Sequence, residues 1–243
     1  MFRTFSQYSE FLEAVQLPFL ITSYAAEYKS MKSPEFLALV AEIEKELDIK
    51  YISFAENGIR HFGTIPRPIA KVEDMKGLKI RIVPNNMLQK TISVLGANPT
   101  SIPYTEVFSA LQNGVIDGEE VNITSAGSQK HYEVLKYISE IGMYCFPATY
   151  WMNGKFYRSL APADFELIKT VFEEGTEKCF NEFLPEIEAA FKKECEDGGV
   201  RFNVIEGAEK QRFIDLVKPL HEEIAGHDPK IAAFIKMAGQ LEK

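Results

Sequence analysis

The sequence predicts an α/β fold of layered, largely parallel strands braced by one long helix, and three observations carry that expectation. Between residues 49 and 118, short strand-like runs alternate with helical patterns. A single amphipathic run opens at Pro162 and continues to the Gly198-Gly199 pair. Of the 243 residues, 46% are hydrophobic, enough to bury a substantial core in one large domain or two modest ones.

Ser33-Pro34-Glu35 opens a helix with serine as N-cap and proline at the first helical position. Phe36, Leu39, Val40, Ile43 and Leu47 recur behind it at helical spacing. Ile49 to Phe54 follows as a short strand. Val72 to Lys76 reads as a helical turn closed by Gly77, and Leu78 to Val83 alternates as a strand until Pro84 stops it. Asn85 to Leu95 is expected to be helical, ended by Gly96. An extended Pro99 to Pro103, a helix from Thr105 to Gln112 and a strand-like Val115-Ile116 ending in Asp117-Gly118 complete the alternation. Along the run from Pro162, the residues Phe165, Ile168, Phe172, Cys179, Phe183, Ile187 and Phe191 fall near one face, and Pro185 should kink this helix without ending it. Val200 to Ile205 resumes as a strand, and two more amphipathic helices start near Ala208 and Pro229. No repeat or Gly/Ser linker divides the chain, so any two lobes must be joined by ordered structure.

The 35 acidic residues outnumber the 27 basic ones, for a formal net charge of -8, and no Lys/Arg run or basic-aromatic stripe is present. Both features argue against nucleic acid as a partner. The longest apolar stretches, Leu17 to Thr22 and Ile141 to Met152, fall far short of the roughly 20 residues of a membrane-spanning helix. Met1 to Ser6 lack the features of a signal peptide. Cys145, Cys179 and Cys195 are odd in number, without CxxC spacing, and read as small buried hydrophobes. On one helix Cys179 and Cys195 would stand roughly 24 Å apart, beyond disulfide reach.

GxSxG, GxGxxG, P-loop and HExxH patterns are all missing, and His61, His131, His221 and His227 lack ligand spacing. The histidines read as surface or capping groups; no catalytic residue, metal or cofactor is expected. In Asp117-Gly118-Glu119-Glu120, the Asp-Gly pair signals a turn, and the glutamates suit the first turn of a following helix, where the dipole favours negative charge.

Two arginines have neighbours unlike those of surface residues. Arg81 sits between Ile80 and Ile82, in a strand whose alternation sends Lys79, Arg81 and Val83 to one face and draws the arginine inward. A buried guanidinium needs a partner: either an internal carboxylate, or a ligand carboxylate gripped by its planar fork in two parallel hydrogen bonds. Arg60, within Glu56-Asn57-Gly58-Ile59-Arg60-His61-Phe62, carries the same two readings. Tyr104 and Trp151 offer apolar area with a polar tip, suited to a pocket wall or to the core.

Longer motifs stand in a specific order: Leu17-Pro18-Phe19-Leu20, then Met75-Lys76-Gly77-Leu78-Lys79-Ile80-Arg81-Ile82, Gly96-Ala97-Asn98-Pro99 and Pro103-Tyr104-Thr105-Glu106-Val107-Phe108-Ser109-Ala110-Leu111-Gln112. Val115-Ile116-Asp117-Gly118-Glu119-Glu120 and Lys130-His131-Tyr132-Glu133-Val134 follow. This series resembles the extracytoplasmic solute receptors of tripartite ATP-independent periplasmic (TRAP) transporters, the DctP-like binding proteins. The resemblance implies a two-lobed periplasmic-binding-protein-like α/β fold that closes over its ligand, with a long helix spanning both lobes. It also implies a periplasmic, non-enzymatic protein that delivers a small organic carboxylate to the membrane subunits of the transporter.

By the same resemblance, Arg81 pairs with the substrate carboxylate, Arg60 lies near the ligand and Tyr104 lines the site. Many members have Glu-Asn-Pro where this chain reads Glu120-Val121-Asn122; Val121 cannot supply an amide hydrogen bond, leaving Glu120 and Asn122 as the polar candidates. Phe146 and Thr149, in the crossover after Tyr144, are candidates for the pocket wall. Residues 1–78 are expected to form the remainder of the first lobe, 79–160 the core of the second lobe with its crossover, and 161–243 the spanning helix with C-terminal helices that pack on both. Full members extend well before the Leu17 motif, so the first lobe is expected to be incomplete, with exposed sheet edges. That liability would be met by a homo-oligomer or by a complementing N-terminal segment. The alternative function is a truncated fragment without a working cleft, acting only as an oligomerising or interaction module.

Overall fold

The computed structural model describes residues 10–241. In chain order it comprises α1 (Glu10–Glu13), α2 (Tyr24–Met31), α3 (Pro34–Leu47), β1 (Ile49–Glu56), β2 (Arg60–Thr64), β3 (Lys79–Ile82), α4 (Asn86–Val94), β4 (Asn98–Ser101), α5 (Val107–Gln112) and β5 (Gly118–Asn122). There follow α6 (Ile123–Ser128), β6 (Tyr137–Glu140), β7 (Pro147–Asn153), α7 (Gly154–Ser159), α8 (Pro162–Lys178), α9 (Leu184–Asp197), β8 (Arg201–Val204), α10 (Gly207–Ala225) and α11 (Pro229–Leu241).

Local signals act where the sequence places them. Ser33 Oγ accepts a hydrogen bond from Phe36 N at 3.0 Å, Pro34 occupies the first turn of α3, and Phe36, Leu39, Val40 and Ile43 are buried. Gly77 adopts φ +78, a left-handed conformation that β-carbon-bearing residues resist, and turns the chain into β3.

The strands form a six-stranded sheet in the order β4-β3-β5-β2-β6-β8 and a separate two-stranded ribbon of β1 and β7. The expected parallel character holds for β3 with β4, β3 with β5 and β6 with β8. It fails at the centre, where β2 runs antiparallel to both β5 and β6, and in the ribbon. The cause is connectivity. The chain passes from β1 directly into β2 through residues 57–59 and returns from β6 to β7 through residues 141–146, so one strand runs into the sheet and the other runs out. Residues 60–64, expected in the first lobe, are therefore a central strand of the large sheet, while residues 147–153 of the expected second lobe pair with β1.

The two crossings are tied together. Arg60 N donates to Tyr144 O and Met143 N to Arg60 O, both at 2.8 Å. Glu56 Oε1 accepts from Gly58 N at 2.7 Å on one crossing and from Phe146 N at 3.0 Å on the other.

Helices α8 and α9 are continuous through a π-helical turn at Cys179–Phe183; α8 packs on the ribbon strand β1, and α9 on α6 beside the large sheet. The long helix thus bridges both sheets. Thr176 Oγ1 anchors α8 to β1 by meeting Ser53 Oγ at 2.8 Å. The π turn inserts one residue and shifts the inward stripe. Phe183 and Ile187, expected inside, are consequently 51% and 44% exposed, while Leu184 is buried. Pro185 follows directly on the π turn, and the helix runs on past it without ending, as expected. One apolar core joins Phe36 and Phe54 with Phe62, Ile80 and Ile82, and is closed by Phe213 and Phe234 of α10 and α11. Cys145 and Cys195 are buried as expected; Cys179 is half-buried, and none forms a disulfide.

Behind the crossings, Glu27 of α2 is fully buried. Neither of its carboxyl oxygens, nor Glu56 Oε2, has a hydrogen-bond partner among the described residues. Burial pushes both carboxyls above the usual value near 4.5, and the Glu56 charge raises Glu27 further, while hydrogen bonding with Glu27 and from the Phe146 and Gly58 amides, and then the Arg60 charge, pull Glu56 back. Two facing acceptors need a shared proton. For a carboxyl raised on folding, the stabilisation is complete below the unfolded value and is lost as pH rises through the folded one. Glu27→Gln should therefore flatten the decline in melting temperature between pH 5 and pH 8. At pH 8, thermal denaturation should show it about 1–3 kcal/mol more stable than the wild type; a parallel decline in both proteins would refute the shared proton.

Candidate functional site

The carboxyl ends of β3 and β5 and the start of the antiparallel β2 meet at one edge of the large sheet, where α/β sheets form their binding crevices. That topology gathers Arg60, Arg81 and the Glu119–Asn122 segment. The two glutamates, expected in the first turn of a helix, lie instead within β5 and are buried. Cross-strand partners decide the conformation: Arg81 registers with Glu119, Phe62 with Glu120 and Arg60 with Asn122.

Arg60 is buried and internally paired. Its Nε donates to Glu120 Oε2 at 2.5 Å and its Nη2 to Glu120 O at 2.6 Å, while the guanidinium carbon lies 4.7 Å from the centre of the Phe146 ring. Tyr144 Oη donates to the same Glu120 oxygen at 2.9 Å. Burial opposes the Arg60 charge, but Glu120 more than offsets it and holds the guanidinium above its ordinary value. Burial and the Glu120 charge together raise the Tyr144 phenol.

Arg81 differs. It is only 2% exposed, yet it forms no ion pair among the described residues, and its Nε donates to Ile102 O at 3.1 Å. Burial presses its guanidinium below the ordinary value, and Glu120 and Glu119 offset this from beyond ion-pair distance. A guanidinium has five N–H donors, and most of those on Arg81 remain available to an anion. The Tyr104 ring centre lies 5.8 Å from its guanidinium carbon, and Tyr104 is itself 43% exposed.

Next to Arg81, Glu119 Oε1 meets His131 Nδ1 at 2.6 Å, with both side chains buried. The His131 ring lies against Tyr104 and Phe108, at 6.1 Å and 6.4 Å between centres. His61 is also buried and accepts a hydrogen bond from Gly142 N at 3.1 Å; burial and then the Arg60 charge push its imidazole down to about 3, so it is neutral. These two histidines correct the expectation of surface or capping groups, because sheet pairing and the turn before β6 carry them inside.

Asn122 is committed to the fold: it caps α6 by accepting from Ser125 N at 3.2 Å and donates to Asn57 O. Phe146 lies on Arg60 and edge-on to Tyr144. Thr149 stands apart, on β7 opposite Phe54, where its hydroxyl accepts from Trp151 Nε1 at 2.7 Å. Trp151 packs on Tyr51 with ring centres 5.2 Å apart. The structure thus brings together Arg81, Arg60, Tyr104, Glu120 and Phe146, places Asn122 at their margin, and leaves Thr149 outside. Sequence reasoning missed Tyr144 and the Glu119–His131 pair, which carry no local signal because their partners come from other elements. A groove of about 700 Å³ between α3, β1 and α8, lined by residues such as Leu37, Tyr51 and Glu173, includes none of these residues.

Residues 1–228 match a family model described as DctP, bacterial extracellular solute-binding protein, family 7. A solute-binding protein of Chromohalobacter salexigens is 26% identical over 221 residues, covering 91% of this chain and 65% of that protein. The chain therefore spans just under two thirds of that relative's length. Among solved structures, a TRAP periplasmic solute-binding protein from Sulfitobacter sp. NAS-14.1 with bound β-D-galacturonate superposes with a TM-score of 0.89 at 29% identity, covering 97% of this chain and 77% of that one. One from Shewanella oneidensis with bound succinate gives 0.89 at 26% identity, with 98% and 77% coverage. The α/β fold expected from the sequence is the fold of these proteins. Among the described residues, no helix is long and apolar enough to cross a membrane.

Proposed function

Because the chain belongs to the bacterial extracellular solute-binding proteins of family 7, the DctP family, we propose that it captures a small organic carboxylate at the Arg81 edge of the large sheet and delivers it to the membrane subunits of a TRAP transporter. The single observation that carries this reading is a buried guanidinium with no carboxylate partner among the described residues: Arg81 retains most of its N–H donors in a low-dielectric setting where a ligand carboxylate would complete them. Arg60 serves a supporting role, since its charge is already met by Glu120. Tyr104 and Phe146 form the apolar walls. The tied crossings between ribbon and sheet supply the hinge about which two lobes would close, and α8–α9 spans it. Function then rests on binding and release in the periplasm, with no covalent chemistry.

A thermal-shift screen with galacturonate, glucuronate and succinate tests the reading. An acid present at a hundred times its dissociation constant should stabilise the protein by about 2.7 kcal/mol, seen as a higher melting temperature. Micromolar affinity, on the order of -8 kcal/mol, places that condition at sub-millimolar acid. If no organic acid moves the melting temperature at millimolar concentration, the reading fails.

A further inference from the structure

Arg81 and Glu119 are register partners on adjacent parallel strands, so their side chains leave the sheet on the same face. Both are deep, at 2% and 1% exposure. Glu119 spends Oε1 on His131, at 2.6 Å, and its Oε2 is buried with no hydrogen-bond partner among the described residues. The His131 ring, packed against Tyr104 and Phe108, holds that carboxylate in place. The Glu119 charge acts on Arg81, Arg60 and Tyr104 alike, which puts it inside the candidate site.

A fixed cation with spare donors and a fixed anion with a spare acceptor thus stand on neighbouring strands about 4.8 Å apart. We propose that Glu119 Oε2 accepts a hydrogen bond from a ligand hydroxyl while Arg81 holds the ligand carboxylate, so that Glu119 selects hydroxylated monocarboxylates such as sugar acids over dicarboxylates. A hydroxyl satisfies the buried acceptor. A second ligand carboxylate would bring a like charge against it, and a plain hydrocarbon would leave it without a donor. The inference rests on the carboxylate-capture reading and adds the ligand class to it.

Isothermal titration calorimetry with D-glucuronate, succinate and cyclohexanecarboxylate, a ring acid without hydroxyls, tests it on the wild type and on Glu119→Gln. The wild type should bind glucuronate at least tenfold more tightly than either other acid. Glu119→Gln, which keeps the shape and a bond to His131, should weaken glucuronate at least tenfold and leave succinate unchanged or tighter. A wild type that prefers succinate or cyclohexanecarboxylate overturns the proposal without recourse to any variant, as does a Glu119→Gln protein that keeps the wild-type ranking. If the acids bind but the ranking ignores Glu119, only the assigned ligand class is lost; if none binds, carboxylate capture falls with it.

Discussion

Arg81→Met is expected to remove carboxylate binding while leaving the ligand-free protein as stable as the wild type or more so. Deleting one partner of a buried, hydrogen-bonded charge pair weakens binding by about 2–5 kcal/mol, which at 1.4 kcal/mol per decade is roughly 30-fold to several thousand-fold in dissociation constant. The stability arm follows from the absence of an ion pair at Arg81 among the described residues; its guanidinium is desolvated and bonded to the Ile102 carbonyl. Replacing such a group by an apolar side chain of similar length sheds a desolvation penalty and gives up one hydrogen bond. Calorimetric titration with a binding acid and thermal denaturation without it measure the two arms. An affinity within threefold of the wild type would move the anchor elsewhere, and a drop in melting temperature comparable to that of a core truncation would make Arg81 a structural residue.

The equivalent change at Arg60 should have the opposite signature. Arg60→Met leaves Glu120 buried in the middle of the sheet with, among the described residues, only the Tyr144 hydroxyl and a long contact to Val83 N as hydrogen-bond partners. Breaking a buried ion pair from one side is worth about 3–5 kcal/mol. For a chain of this size that lowers the melting temperature by about 6–20 °C. Arg60→Met/Glu120→Leu removes both charges and should recover most of the loss, because the interaction energy of the pair vanishes with its second member. Thermal denaturation of the two single variants and the double variant closes the cycle. A single variant at wild-type stability, or a double variant no better than the worse single one, would show that the pair does not hold β2 to β5.

The two arginines present the same alternatives in the sequence, and the reason they diverge lies in which strands become neighbours. The Asp117-Gly118 pair, expected as a turn after a Val115-Ile116 strand, instead leads into β5, which starts at Gly118, and the turn lies at Asn113-Gly114; whether the following glutamates enter a helix or a strand depends on whether β2 and β3 lie on either side to receive them. His131 likewise has no local mark of burial; its partner Glu119 comes from a different element.

Several features that depend on a few consecutive residues were legible: the Ser33 cap and Pro34 at the start of α3, Gly77 before β3, the α4 and α5 helices, and the inward bias of Arg81. Their energies come from backbone conformation, capping and alternation, all of which act within a turn or two of the chain. The motif series carried the family and its α/β fold for the same reason, since motif order is a property of the chain alone. The tertiary structure decided the reversed central strand, the one-residue shift of the buried stripe at the π turn, and the identity of the paired arginine. Each of these turns on contacts between distant segments: Arg60 meets a carboxylate 60 residues away, while Arg81, with no ion pair among the described residues, keeps its charge for a ligand.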